Sequence, residues 1–394
     1  MTRRTFLFVD AIPHFGGHEV MLLRWIEELL HDPELRPRVL AREGGRLYRQ
    51  APESTRAAPF PSERTAGRWR RMGNVWREVI TLRRALRDEQ PQWVVFASGA
   101  LGYQMLMVVL ARLWGARVLV YVPLLDTFDA MGYRAGRLKD WFVRWIYGRV
   151  PHGWVAISPG QASHFADWAR PAGTVHVLPN TVARAIEDAP RLVPAELAPD
   201  GRLRVLVLGR LDAAQKGLDL LLDHLDAASS DQQGRLRVCL AGEGPYREVI
   251  ESRCRANPAL ARCITLGGWM PTHEALAASD VLLMPSRFEG VPLVMLEAMA
   301  LGLPVVGSDL PGIRAHVDPA LLFPVGDISL AMERLSGLRD RNARERAAAQ
   351  GRAAYDAGAS SAAFASAVRA LTQRLRLTAE EAVPGGSPIK GNSA

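Results

Sequence analysis

The strongest constraint in this chain is a repeated change of period. Short β-branched runs alternate with stretches whose apolar residues recur every three or four positions, and the alternation happens twice over. In the first series "TFLFVD" precedes "EVMLLRWIEELL", "WVVFAS" precedes "LGYQMLMVVLARLW", and "ARVLVYV" precedes "RLKDWFVRWIYGRV". "GWVAIS" and "TVHVLPN" follow. A period of two followed by a period of 3.6 predicts parallel strands joined by helical crossovers. The segment Arg184 to Gly201, "RAIEDAPRLVPAELAPDG", interrupts the pattern with three prolines and mixed charge, as a domain edge does. A second series then begins at "RLRVLVLGR" and runs to "PVVGSD". The expected architecture is α/β, with two doubly wound, Rossmann-like domains facing across a cleft. The expected boundaries are 1–185, 186–355, a closing helix over 356–379 and a disordered Gly/Pro/Ser-rich tail over 380–394.

In doubly wound sheets, ligands bind beyond the carboxyl ends of the strands. That rule directs attention to "SRFEGVPLVMLEAMALGLPVV", Ser286 to Val306. "DVLLMPS" reads as a strand, "RFEGV" as a loop, and Pro292 as the first helical residue, where a missing N–H costs nothing. Gly290 permits close backbone approach. The free N–H groups of Val291, Leu293 and Val294 then favour an anion. Glu297 lies five residues beyond Pro292, roughly 7–8 Å along a helix axis, about the span from a diphosphate to a ribose. The plain alternative makes Glu289 a first-turn carboxylate and Glu297 a solvated helix residue.

Neighbouring motifs shift that balance. Arg210 and Lys216 follow the first strand of the second half and flank a helix start, an arrangement suited to a diphosphate. Gly242 ends another strand in "LAGEGP". "LGGWMP" supplies Gly268 and the Trp269-Met270 pair, against which a flat base can lie, although core packing is the competing role for Trp269.

The order and spacing of these pieces resemble the retaining GT-B glycosyltransferases of family 4, which use nucleotide-sugar donors. The likeness rests on "LGRL", "KGLDLLL", "AGEGP" and "PSRFEGVPLVMLEAMALGLPVVGSDLPGI". The resemblance implies that Arg210 and Lys216 bind the donor diphosphate, Glu289 the sugar hydroxyls and Glu297 the ribose. It also implies that the backbone from Gly290 through Val291 and Pro292 to Leu293 serves the sugar and phosphates. By the same resemblance Gly16-Gly17, between the first strand and the first helix, approaches the donor phosphates and the acceptor hydroxyl. The family's histidine after "VLVYV" is missing, and Asp126 stands in that loop as either its polar replacement or a plain loop carboxylate. His14, His18 and His152 are further cleft candidates, each equally at home in a turn or on the surface. The implied activity is transfer of a sugar, with retention, from a UDP- or GDP-sugar to a lipid-linked or polysaccharide acceptor. An epimerase of the same fold and a non-catalytic binding module are the competing classes.

Composition bounds the partners. No Asp-x-Asp pair occurs, and the three cysteines lack metal-ligand spacing, so neither a metal nor a cofactor is expected. The apolar run Phe6–Val9 is too short for a leader, and Arg112 and Arg117 cut the greasiest region, which predicts a cytoplasmic protein. Residues 1–185 hold 26 Lys+Arg against 16 Asp+Glu, whereas the remainder is slightly acidic. The excess sits in two aromatic-studded stretches. In the first, Arg68, Trp69, Arg70, Arg71 and Trp76 suit an interfacial helix on the anionic inner face of a membrane. The second, around Trp141 and Trp145, suits the same interfacial role and also fits an ordinary helix with its apolar face inward and its basic face solvated. No nucleic-acid recognition motif accompanies the charge.

Overall fold

A computed structural model describes residues 4–11, 17–60, 68–97, 104–124, 127–228 and 234–381. Among them lie two parallel six-stranded sheets. The first comprises β1 (Arg4–Asp10), β2 (Leu35–Ala41), β3 (Trp93–Ala97), β4 (Val118–Tyr121), β5 (Gly153–Ala156) and β6 (Thr174–Val177), in the order β2-β1-β3-β4-β5-β6. The second comprises β7 (Leu203–Leu208), β8 (Leu236–Ala241), β9 (Ile264–Gly268), β10 (Val281–Met284), β11 (Val305–Ser308) and β12 (Leu322–Phe323), in the order β12-β11-β10-β7-β8-β9. Every strand of β3 and β4 is buried residue by residue, as a sheet covered on both faces requires. Strand order reverses between β1 and β3 in one sheet and between β7 and β10 in the other. These switch points open crevices at the strands' carboxyl ends.

The cleft is closed down to backbone contact. One hydrophobic cluster runs through both halves, joining Trp25, Tyr121 and Val155 of the first to Leu206, Met295 and Met299 of the second. Between Arg184 and Gly201 there is a single short helix, Arg184–Glu187, and no strand. Leu192 N–H donates to the Leu301 carbonyl at 2.7 Å, so this Pro-rich passage is pinned to the second half.

The closing helix runs Ser361–Glu381 and follows a separate helix, Arg341–Gly358. Its bounds differ from the expected 356–379: Glu380 and Glu381, expected to open the tail, are helical, and Gly358 ends the preceding helix. The rest of the expected tail lies outside the described residues. Phe364, Val368, Leu371 and Leu375 recur at helical spacing and are all at most 3% exposed. They bury against the first half, where the Trp93 indole N–H donates to the Leu375 carbonyl at 3.2 Å and Arg376 pairs with Asp32 at 2.6 Å. At the helix start, Ser361 Oγ accepts from Arg24 at 2.8 Å and its N–H donates to Glu187 at 3.0 Å. The chain's last helix therefore completes the core of its first domain. Phe364→Ala should cost about 3–5 kcal/mol of stability. Denaturant unfolding measures this, and an unchanged midpoint would show that the helix is a peripheral strap.

Candidate functional site

The site begins where β7 ends. Gly209 follows the strand with φ near +144°, and Asp212 caps the short helix Ala213–Lys216 by accepting from Gln215 N–H. Gly217 terminates that helix in the left-handed region, and a Cβ there would collide with the Pro285 carbonyl. Lys216 is thus fixed by backbone packing directly beside the end of β10. Its Nζ donates to Glu289 Oε1 at 2.5 Å, and Ser286 Oγ donates to the same oxygen at 2.9 Å. Side-chain exposures of 17% for Lys216 and 9% for Glu289 make this a shielded ion pair, stronger than a surface bridge. Arg287 braces the two loops: it holds Asp219 in a bidentate grip at 2.7 Å, and its backbone N–H donates to the Gln215 carbonyl. Arg210 is exposed, with no polar partner among the described residues.

Glycines hold the neighbouring strand ends together. Gly242 lies so close to Gly209 that a Cβ would overlap the latter's carbonyl, and Gly242 N–H donates to the Gly268 carbonyl at 2.6 Å. Trp269 is 75% exposed, which removes core packing as its role. Met270 is partly buried, packed on the shared core.

The helix after β10 spans Leu293–Leu301. Pro292 is its N-cap, with φ −67° and ψ 129°, and not the first helical residue the sequence suggested. The proline φ serves either position, and the extended ψ places 292 just outside the helix. First-turn N–H groups remain without intrahelical acceptors. Val291 is buried, and its carbonyl accepts from Asn180 Nδ2 of the first half at 2.7 Å. Glu297 sits on the helix's second turn, with no polar partner among the described residues, and burial pushes its carboxyl up to about 7.

On the facing side, Gly17 opens the helix Gly17–Leu30. A Cβ on Gly17 would lie 2.9 Å from Leu293 Cδ1, so the two helix starts meet across the cleft. Gly290 is wedged against the Pro123 carbonyl, Ile157 and Gln161. Gly16, His14 and Asp126 lie outside the described residues. His18 is buried rather than in a surface turn, with Nε2 3.4 Å from Asp10 Oδ2. His152 is structural: its Nδ1 accepts from Val118 N–H at 3.0 Å. The first basic stretch forms the helix Arg68–Glu89, where the side chains of Arg68, Trp69, Arg70 and Arg71 lie outside the described residues. Trp76 on that helix is 65% exposed and cannot be a core residue.

The structure therefore brings Lys216, Glu289, Gly290 and Gly17 together with Leu293 and leaves Arg210 and Trp269 as free side chains at the rim. Sequence reasoning missed Asn180, Ser286 and Gln161. Asn180, in "LPNTV" at a strand's carboxyl end, carried the positional signal that picked out the others. Among the described residues no group of His, Cys, Asp and Glu has a metal-holding arrangement, and no helix is long and apolar enough to cross a membrane.

Residues 16–181 match the model of the glycosyl transferase 4-like domain, and residues 202–340 match that of glycosyl transferases group 1. The chain is 34% identical over 157 residues to a putative glycosyltransferase, EpsF, of Bacillus subtilis. That stretch spans 37% of this chain and 38% of the relative. The fold is similar to that of sucrose-phosphate synthase from Thermosynechococcus elongatus, with a TM-score of 0.73 at 17% identity over 95% of this chain and 100% of that one. It is also similar to Anabaena HepE in complex with UDP-glucose, with a TM-score of 0.69 at 16% identity over 96% and 99%. Each half thus matches a glycosyltransferase domain model, and the chain shares the GT-B fold of these solved structures, while the aligned stretch spans well under half of the relative's length.

Because the Glu297 carboxyl is pushed above its ordinary value of 4.5, the folded protein holds a proton there that the unfolded chain has released. Stability from this group is therefore lost as pH rises from about 4.5 through about 7 and is level above that. Melting temperature should fall less for Glu297→Gln than for wild type between about pH 5 and about pH 8. Parallel pH profiles would show that the carboxyl is not shielded in the folded state.

Proposed function

We propose that this protein transfers a sugar from a nucleoside-diphosphate sugar to a lipid-linked or polysaccharide acceptor, with retention of anomeric configuration. The observation that carries the reading is the Lys216–Glu289 ion pair at the mouth of a helix whose first N–H groups are free. Lys216, Arg210 and that helix start supply positive potential for a diphosphate without a metal ion. Glu289 then faces the sugar on the outer phosphate. Glu297, one helical step further, accepts from ribose hydroxyls, and Trp269 offers its exposed face to the base. A UDP-sugar donor is supported by the fold's likeness to a protein solved with UDP-glucose.

Gly17, bare of a side chain, lets the first helix of one half approach Leu293 at the start of the other half's helix, where the acceptor would meet the sugar. For retention, the acceptor oxygen attacks from the face the leaving diphosphate vacates. The departing phosphate oxygen takes the acceptor's proton, so no side-chain base is required. An interfacial position on an anionic membrane, supported by the exposed Trp76 and the basic excess of residues 1–185, brings a lipid-linked acceptor to the cleft.

Lys216→Ala and Arg210→Ala should each weaken UDP binding, because a charge-assisted contact contributes about 1.5–3 kcal/mol. Calorimetry with UDP tests this, and unchanged affinity in both variants removes them from the donor site. In transfer assays Glu289→Gln should chiefly lower turnover and Glu297→Gln chiefly raise the donor concentration required. Incubation with UDP- and GDP-sugars without acceptor separates the reading from an epimerase, which would convert the donor.

Activity should also survive EDTA, since the charge around the diphosphate is already cationic. Complete loss on chelation, restored by magnesium or manganese, would contradict the phosphate-site assignment.

A further inference from the structure

Of the two readings its sequence allows, the second basic stretch does not take that of an ordinary helix with its apolar face inward. It folds into the helix Gly136–Trp145, of which only Gly136 and Val143 are buried. Leu138, Trp141 and Trp145 are 66%, 53% and 51% exposed. Positions i, i+3 and i+7 fall on one side of a helix, so the apolar stripe faces solvent. Ile146 and Tyr133, also exposed, extend it at either end. An ordinary surface helix turns such a stripe inward.

Charge flanks the stripe with one sign. Arg134, Arg137 and Lys139 are exposed. Arg144 and Arg149 lie over the Trp145 ring at 5.7 and 5.4 Å. The helix's carboxylate, Asp140, is turned away: it accepts from the backbone N–H groups of Phe128 and Asp129 at 2.7 and 3.2 Å. Among the described residues Asp129 is the acidic group that meets these cations, through a 3.4 Å contact with Arg137 that is largely exposed.

We propose that this helix is a membrane anchor which lies in the interface of an anionic bilayer. Leu138, Trp141 and Trp145 enter the headgroup–acyl boundary while Arg134, Arg137, Lys139 and Arg149 meet lipid phosphates. Tryptophan rings favour that depth, and flanking cations gain attraction from anionic lipid. A purely apolar protein groove accounts for the stripe but leaves the encircling cations without a counter-charge.

The anchor is mechanically joined to the cleft. Asp140 clamps the Phe128–Asp129 backbone, and Gly136 packs so tightly on it that a Cβ would collide. That segment follows β4, whose end brings the Pro123 carbonyl against Gly290 of the donor loop. A docked helix therefore sets the acceptor side of the cleft at the lipid surface. This deepens the lipid-linked reading of the acceptor, on which it rests only for its purpose; the docking itself needs no turnover.

The test is flotation of the full chain with vesicles of phosphatidylcholine alone or mixed with phosphatidylglycerol. Wild type should bind the mixed vesicles and release with salt, because exposed charges are screened over about 10 Å at 0.1 M. Leu138→Ser, Trp141→Ser and Trp145→Ser combined should lower partitioning about tenfold or more at unchanged melting temperature. Val193→Ser, at an equally exposed apolar position of the linker, should bind as wild type does. Arg134→Gln, Arg137→Gln and Lys139→Gln combined should remove the preference for phosphatidylglycerol. Equal flotation of the triple stripe variant and wild type overturns the proposal. So does a wild type that ignores both vesicles and dimerises through the stripe in light scattering. UDP binding measured on the same variants should be unchanged, so failure of the anchor and failure of the donor site read out separately.

Discussion

The donor loop threads between two backbones, and the rest of the site depends on that fit. Gly290 has the Pro123 carbonyl of the first domain on one side, while its own carbonyl occupies the space a Cβ of Gly312 would need. No side chain is tolerated at either glycine without displacing backbone. Because the loop is held on both sides, Pro292 and the helix after it start at a fixed point. Glu289 before the helix and Glu297 within it inherit their positions from the same contact. Asn180 adds a hydrogen bond to the Val291 carbonyl from across the cleft, so the first domain helps to shape the donor loop of the second.

Electrostatics at the site follow from that geometry. Lys216 is short of water, and Glu289 supplies its counter-charge at 2.5 Å. On the proposed function, an incoming diphosphate would compete for the same ammonium and free Glu289 to meet hydroxyl donors on whatever the diphosphate carries. The exchange swaps one charge-assisted bond for another, so desolvation of the lysine is never left uncompensated. Glu297 is the opposite case: with no cation beside it, burial alone acts, and its carboxyl is pushed up to about 7. Two glutamates eight positions apart thereby have different surroundings, one holding a lysine and the other only buried.

Much of this was legible in the sequence, for local reasons. The two series of β-branched and helical periods are nearest-neighbour patterns, and they yielded both parallel sheets and the passage between them. Strand-end position in doubly wound folds singled out the glutamate pair, Gly290 and the Lys216 region, and the structure places Lys216 against Glu289. The Pro292 position was misjudged by one residue, since a φ near −67° suits an N-cap as well as a first helical turn. Gln161 was unreadable as a site residue because its contact joins distant segments, whereas Asn180 at a strand's end and Ser286, three residues before Glu289, carried local signals that were passed over. For the helix Gly136–Trp145 the sequence left two readings open, for another reason. Period fixes that a stripe exists, whereas its direction depends on how Asp140 and Gly136 bind the preceding loop.

That direction ties the charge asymmetry of the chain to its architecture. The slightly acidic half pairs much of its positive charge with its own carboxylates, as Lys216–Glu289, Arg287–Asp219 and Arg253–Asp226 show. The basic half spends its surplus on exposed faces. Arg83 over Trp114 and Arg149 over Trp145 repeat one motif, a guanidinium stacked on a half-exposed ring, on two separate helical surfaces of the same domain. Stacking keeps each cation desolvated on one side and still open to an anion on the other. A small anion in solution is bound by convergent donors in a pocket, whereas these cations are spread outward over a surface. Surplus charge arranged in this way suits an extended anionic plane, and on the proposed function the two halves of the chain take different roles: one toward a soluble diphosphate, the other toward an interface.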